Sequence, residues 1–353
     1  MQYEQGVIRP PSEAQSLLIR VTRNCPWNQC VFCPAYKGTK FSKRSVEEIK
    51  QDIDNMAASY GAYSRNITTA FLQDADSLIL PTADLVEILK HLNSKFPAVT
   101  RVTSYARANT MKRKTTEEYK QLKELGLARI HAGMESGSAK VLKLIKKGTS
   151  PEAIIEGGLH IKESGISLSE YIMPGVAGKT LSEEHATETA RVLNAIGPDF
   201  IRVRTFAMHP LSPMQRMVED GTYVHMTDTK IVAEIRLLVA SLNEMHSYFS
   251  CADFSLNLLM QVDGYLDEKK EEMLAELDRF LALTTEEQQA YSLLRRSNPG
   301  VPYPLDVVKD QKLMGKILPE ITKLEAKEPG GFNNYIRVLM TYQLPQPQTD
   351  DWT

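Results

Sequence analysis

Short apolar runs recur along the first two-thirds of the chain, separated by stretches whose apolar residues return every three to four positions. The runs are LLIRVT from Leu17, TTAFLQ (68–73), RVTSYA (101–106), ARIHAGM (128–134), LSEYIMP (168–174) and FIRVRTF (200–206). Between them lie SVEEIKQDIDNMAASYG, PTADLVEILKHLNSKF and TTEEYKQLKELG. Several of these helical stretches open with Ser or Thr followed by Glu, an N-cap with a first-turn acid, and several close at Gly. Strand alternating with helix at this spacing predicts a parallel sheet with right-handed crossovers. Six such units predict an α/β fold, a partial parallel (β/α)6 TIM-like barrel over about residues 10–210. Chemistry in that architecture sits on the loops at the C-terminal strand ends.

The pattern changes after residue 206. AMHPLSPMQRMVEDG is loop-like and interrupted by Pro, and three long amphipathic stretches follow, beginning at Thr227, Asp267 and Val307. Residues 211–345 are therefore expected to form a mostly helical C-terminal region packed on the barrel, ending in a frayed tail, QLPQPQTDDWT.

Composition adds only exclusions. At 42% hydrophobic and 24% charged residues the chain has the mix of a globular protein, and its net charge of −2 offers no whole-chain attraction to phosphate backbones or anionic lipid. A nucleic-acid partner is not indicated, and a small-molecule substrate is expected. The first residues lack a basic segment followed by an apolar one, and no apolar run approaches the roughly 18 residues of a membrane span. The expected location is cytoplasmic, without a membrane partner.

Three of the four cysteines fall within nine residues, in NCPWNQCVFCPAYKG, directly after the first strand. The C-x4-C-x2-C spacing of Cys25, Cys30 and Cys33 reads as metal ligation rather than a disulfide framework. Three thiolates can hold three irons of a [4Fe–4S] cubane and leave the fourth open to a small chelating molecule. A zinc site needs a fourth ligand, which distant Cys251 could supply. A simple electron carrier normally uses four cysteines on a much shorter chain.

These residues resemble the radical S-adenosylmethionine (SAM) superfamily, over about residues 15–260. The usual signature is C-x3-C-x2-C with an aromatic residue before the last cysteine; Phe32 matches that aromatic, and one extra residue separates the first two cysteines. HAGMESGSAKVLKLIKKGT is similar to the fourth-strand segment of the branch holding methylthiotransferases, elongator-type proteins and oxygen-independent coproporphyrinogen oxidase. The resemblance implies a [4Fe–4S] cluster on Cys25, Cys30 and Cys33. It further implies reductive cleavage of SAM to a 5′-deoxyadenosyl radical that abstracts hydrogen from a small organic substrate. An external electron donor of flavodoxin or ferredoxin type goes with that activity. Glu135 and Ser136 are implied near the ribose and methionine of SAM, and Met173, Gly175 and Gly178 near its adenine. Gln73, Asp74 and Asp76 stand where the family has a Gly-rich contact to the methionine amino group. Alternatives are radical methyl or methylthio transfer, and an iron–sulfur electron carrier or sensor.

Other residues carry weaker expectations. Ser104, Tyr105 and Arg107 end the third strand, as further contacts to SAM or substrate. Arg202 and Arg204 alternate on the sixth strand, and interior-facing guanidiniums there need an anionic partner such as the SAM carboxylate. Lys146 and Lys147 read as helix-end cations, and His131 as a core residue. His209, after the sixth strand, is a candidate catalytic residue. Cys251 is either a hydrogen-atom partner of the radical or a buried apolar thiol.

Overall fold

The computed structural model describes residues 8–252 and 256–344. Leu17–Arg20 (β1), Thr69–Gln73 (β2), Arg101–Ala106 (β3), Leu127–Glu135 (β4), Ser167–Ile172 (β5) and Phe200–Val203 (β6) lie side by side in chain order. All five pairings are parallel, with Leu17 opposite Ala70, Thr69 opposite Arg101 and Glu170 opposite Ile201. This is the six-unit parallel sheet expected from the pattern. The sheet continues beyond it: Tyr248–Ser250 (β7) joins β6 in parallel, and Asp263–Tyr265 (β8) closes antiparallel on β7. Two three-residue strands are too short for alternation to register, so the region expected to be mostly helical contributes to the same sheet. The tail after Leu344 lies outside the described residues.

The barrel helices are Val46–Tyr60 (α1), Thr82–Lys95 (α2), Ala108–Arg113 (α3), Thr116–Glu124 (α4), Ala139–Leu144 (α5), Pro151–Ser164 (α6) and Gly178–Ile196 (α7). Local chemistry sets their ends. Ser45 and Glu48 form a capping box on α1, Thr115 and Glu118 one on α4, and α6 stops at Gly165 in the left-handed conformation. Ile49 and Ile53 of α1 and Leu85 and Leu92 of α2 pack on the outer sheet face, against Ile19, Leu72, Val102, Ile130, Leu168 and Ile201. Each such burial stabilises the fold by about 1.5–3 kcal/mol. The C-terminal helices are Met214–Glu219 (α8), Asp228–Ser241 (α9), Leu266–Leu281 (α10), Thr285–Ser297 (α11), Gln311–Lys327 (α12) and Gly331–Thr341 (α13). Among the described residues no helix is long and apolar enough to cross a membrane.

The inner face differs in kind. Phe71, Tyr105, His131 and Tyr171 form a file of rings across β2 to β5, with centroids 5.1, 6.1 and 6.1 Å apart. At the N-terminal strand ends a single turn, Pro11–Glu13, inserts Glu13 completely out of solvent. Arg101 donates to both its oxygens (2.5 and 3.3 Å), Ser16 donates at 2.7 Å, and His131 Nε2 lies 3.5 Å away. Burial would raise the Glu13 pKa, but His131, Ser16 and Arg101 outweigh it and hold it at about 2.

Candidate active site

The cysteine loop leaves β1 at the C-terminal end of the barrel and is pinned on three sides. Asp74, just past β2, accepts the Asn24 backbone N–H at 2.9 Å, and the Asn24 side chain reaches the Lys40 carbonyl at 2.5 Å. Asn24 and Asn28 both take positive φ, 67° and 46°, a conformation that Asn tolerates better than most residues. Asn28 turns the longer C-x4-C link: its side chain donates to the Tyr36 carbonyl at 2.6 Å and its N–H points at Cys25 Sγ, 3.5 Å away. Trp27 supplies the second anchor. Its indole N–H donates to the Lys146 carbonyl at 2.7 Å, its ring packs on Gly148, and the Arg107 guanidinium lies 5.3 Å from the ring centroid. Val31 provides the third, donating to the Ile145 carbonyl (3.1 Å) and accepting from Ser212 (2.6 Å).

Beside this loop stands an ion pair. Lys147 Nζ is 2.9 Å from Glu135 Oε1 and 5.9 Å from the Phe32 ring centroid. Glu135 ends β4 at φ 62°, which turns its carboxylate towards Lys147. Burial pushes the Cys30 thiol up to about 12 and also raises Cys33, while the Lys147 charge opposes the shift at both. Lys147 thus stands beside the cysteine loop and pairs with Glu135. Its placement depends on the chain returning from α5 to β4, which helix-end position does not reveal. Phe32 and Met173 share an apolar cluster with Val31, Val176, Phe206, Met208 and Met214, against which Cys30 and Cys33 pack.

The other expected residues divide by direction. Gln73 is fully buried on the same face of β2 as Phe71, and among the described residues neither end of its amide has a hydrogen-bond partner. Asp74 holds Asn24 and sits 3.7 Å from Arg20. Asp76 accepts from Thr110 Oγ1 at 2.6 Å and from the Arg107 N–H at 3.3 Å, so its carboxylate braces the loop after β3. Burial raises it to about 6 against those bonds. Tyr105 joins the interior ring file, so its neighbour Ser104 faces the helices, and the Ser104 hydroxyl donates to the Tyr105 carbonyl at 2.9 Å. Arg107 serves the cysteine loop, donating to the Lys147 carbonyl at 3.1 Å. Arg202 faces the interior and donates to Ser169 at 2.9 Å, while Ile201 and Val203 face the helices. The Arg204 charge acts on Cys33 and Tyr105.

Behind the strand ends runs a polar chain that sequence reading did not find. The Ser136 hydroxyl is turned to His185 Nδ1 on α7 (2.8 Å), towards the helix layer. His185 Nε2 is 3.7 Å from Glu234 Oε1 of α9; Glu234 in turn accepts the Gly175 N–H at 2.7 Å and the Ser182 hydroxyl. Burial pushes His185 down to about 4 and Glu234 up to about 7. Gly175, at φ 88°, makes the turn that presents this N–H. Gly178, at φ 65°, opens α7 against the Tyr223 ring.

The two catalytic candidates sit in constrained places. Cys251 is buried in the main core with Val232 and Leu258, apart from the cluster that holds Cys30 and Cys33, and burial raises its thiol strongly. His209 accepts the Leu211 N–H on Nδ1 at 3.1 Å, and burial lowers its pKa.

Among the described residues no three His, Cys, Asp or Glu side chains gather tightly enough to grip a single metal ion. Cys25 and Cys33 both raise the Cys30 thiol, and Cys25 raises that of Cys33, so the three sulfurs border a common volume. A cubane takes its thiolates on separate irons, so this donor set fits it. The partnerless Gln73 amide supplies polar capacity at the neighbouring strand end.

Fold and site together define an α/β barrel with a three-cysteine loop at its C-terminal mouth. Residues 19–190 match the Radical SAM superfamily model, and this part of the chain is a radical SAM domain, a kind that uses a [4Fe–4S] cluster and SAM. An uncharacterized methyltransferase of Pyrococcus horikoshii is 28% identical over 174 residues, covering 48% of this chain and 35% of the relative. A mitochondrial tRNA methylthiotransferase of Homo sapiens is 39% identical over 69 residues, or 19% of this chain and 11% of the relative. The chain therefore spans about a third or less of these relatives. Its fold resembles the cobalamin-dependent SAM radical enzyme OxsB, with TM-score 0.53 and 16% identity over 93% of this chain and 58% of that one. That likeness extends past the barrel into the C-terminal helices.

Proposed function

We propose that the chain is an enzyme that binds a [4Fe–4S] cluster through Cys25, Cys30 and Cys33 and cleaves SAM reductively. Cys25, Cys30 and Cys33 would hold the cluster, which together with SAM would supply reductive cleavage to a 5′-deoxyadenosyl radical for hydrogen abstraction from a small organic substrate. The observation that carries this reading is the three-thiol loop facing the Glu135–Lys147 pair at the barrel mouth. Trp27, Asn24 and Val31 hold the loop rigid. Phe32 and Met173 offer an apolar wall for a flat ring, and the Gly175 turn brings backbone close to it. Gln73 offers a donor and an acceptor for the amino-acid end of SAM. Arg204 and Lys147 supply positive charge beside the cluster, which favours its reduced, more negative state. The donor of the electron is an external flavodoxin or ferredoxin. The relatives named for tRNA match over short segments, and the net charge of −2 favours a small substrate.

A second reading, radical methyl transfer, is favoured by the methyltransferase name of the Pyrococcus relative. The products separate the two: 5′-deoxyadenosine for the first, S-adenosylhomocysteine for methyl transfer. The experiment is anaerobic reconstitution, then SAM with dithionite, assaying both products and the low-temperature spin-resonance spectrum. Deoxyadenosine, with a spectrum perturbed by SAM and lost in Cys30→Ala, supports the proposal. A cubane that neither binds nor cleaves SAM would make the protein an electron carrier or sensor. Stoichiometric zinc and no cubane would refute the cluster assignment.

A further inference from the structure

A cavity of about 390 Å³ lies beyond the apolar cluster that packs on the cysteine loop, between the segment after β6, the 223–231 stretch and α13, with Gly175 at its edge. The volume is in the range of small-molecule sites. Phe206, Met208, Tyr223, Ile231, Ile336 and Met340 give it a largely apolar wall. Two basic side chains interrupt that wall, Arg337 from α13 and His225 from the stretch before α9, with Gln215, Asn333 and Asn334 as further polar lining.

Arg337 is half-buried, and its hydrogen bond goes to the Asn334 side-chain oxygen. Among the described residues no carboxylate is within ion-pair distance of it; Glu328 is reached only through Asn334, which donates to it. Asp228, the acid on the cavity wall, is already held by Arg296 at 2.6 and 3.1 Å. Burial lowers the Arg337 pKa, and burial followed by the Arg337 charge pushes His225 down to about 4. A guanidinium half withdrawn from water, with no carboxylate at ion-pair distance among the described residues, favours an anion that completes it.

We propose that this cavity binds a largely apolar molecule with one anionic head, the head against Arg337 and His225 and the body against Phe206, Met208, Ile231 and Met340. Arg337 contributes the charge-assisted hydrogen bonds and His225 a ring that gains a proton as the anion arrives. Phe206 and Met208 also belong to the apolar cluster around Phe32 and Met173, so the two sites share a wall. The assignment does not rest on the cluster chemistry and can hold or fail independently of it.

Decanoate serves as probe and decanol as its uncharged counterpart, each titrated calorimetrically into the full chain. Decanoate is expected to bind one molecule per chain, at least about tenfold tighter than decanol. Arg337→Met should bring decanoate down to the decanol level without altering decanol binding, and Arg337→Lys should restore part of the difference. With ring-labelled histidine, saturation with decanoate should move the His225 titration upward. Equal affinity for the two probes, unchanged decanoate binding in Arg337→Met, or no saturable binding would overturn the proposal. The wild-type comparison decides the matter even if Arg337→Met fails to fold.

Discussion

Lys147 Nζ sits 2.9 Å from Glu135 Oε1, with the two side chains only 14% and 11% exposed, so each charge depends on the other. Removing one member leaves the other uncompensated, a loss of about 3–5 kcal/mol, whereas replacing both with apolar groups restores most of it. Lys147→Met should lower the urea midpoint sharply, and Lys147→Met combined with Glu135→Leu should recover much of the drop. If the single variant unfolds at the wild-type midpoint, the pair does not stabilise the fold.

Gly148 tests how the cysteine loop is held. A Cβ there would lie 2.3 Å from the Trp27 ring, at a φ of +70° that side-chain-bearing residues rarely adopt. Gly148→Ala should displace Trp27 and loosen the loop. The change reads as a red-shifted tryptophan emission and a lower iron content after reconstitution; the chain has two tryptophans, so Trp352→Phe isolates the signal. Unchanged emission with full iron would show that Trp27 does not anchor the loop.

Stability should depend on pH through two buried acids. Burial raises Glu170 to about 8 and Glu234 to about 7, from 4.5 for each. Between the unfolded and folded values the folded chain holds protons that the unfolded chain has released. Stability contributed below pH 4.5 is therefore lost as pH rises through 7 and 8. The melting temperature of the metal-free protein should fall across that range, and Glu170→Gln with Glu234→Gln should flatten the fall. Equal slopes for variant and wild type would contradict this.

The cysteines should separate cleanly. Cys33→Ala is expected to lose the cluster's visible absorption. Cys251→Ala should keep it and lose only about 1 kcal/mol of stability from the small cavity left behind. Retention of cluster and product by the Cys251 variant would end its candidacy as a radical partner.

The barrel was legible because its strands are buried on their outer face by residues at regular spacing, as in Leu85 and Leu92 on α2 against Leu72 on β2. The cysteine loop was legible because three cysteines lie within nine residues. Lys147 was not, since twelve positions and a helix separate it from Glu135 and only folding joins them. The directions of Ser104 and Ser136 were hidden for a related reason. Sequence shows that a residue ends a strand, whereas its direction follows from neighbours such as Tyr105 and His185. Glu234 lies beyond the barrel in sequence yet holds the Gly175 turn, a contact that no local motif encodes.

The turn that carries Glu13 under β1 has a bearing on traffic. Locked to Arg101, Ser16 and His131, that carboxylate stoppers the barrel at the end opposite the cysteines. The interior is thus a cup rather than a pipe. A molecule that enters over the cysteine rim therefore finds no exit past the N-terminal strand ends, so arrival and departure are kept to the cysteine side of the Glu13 plug.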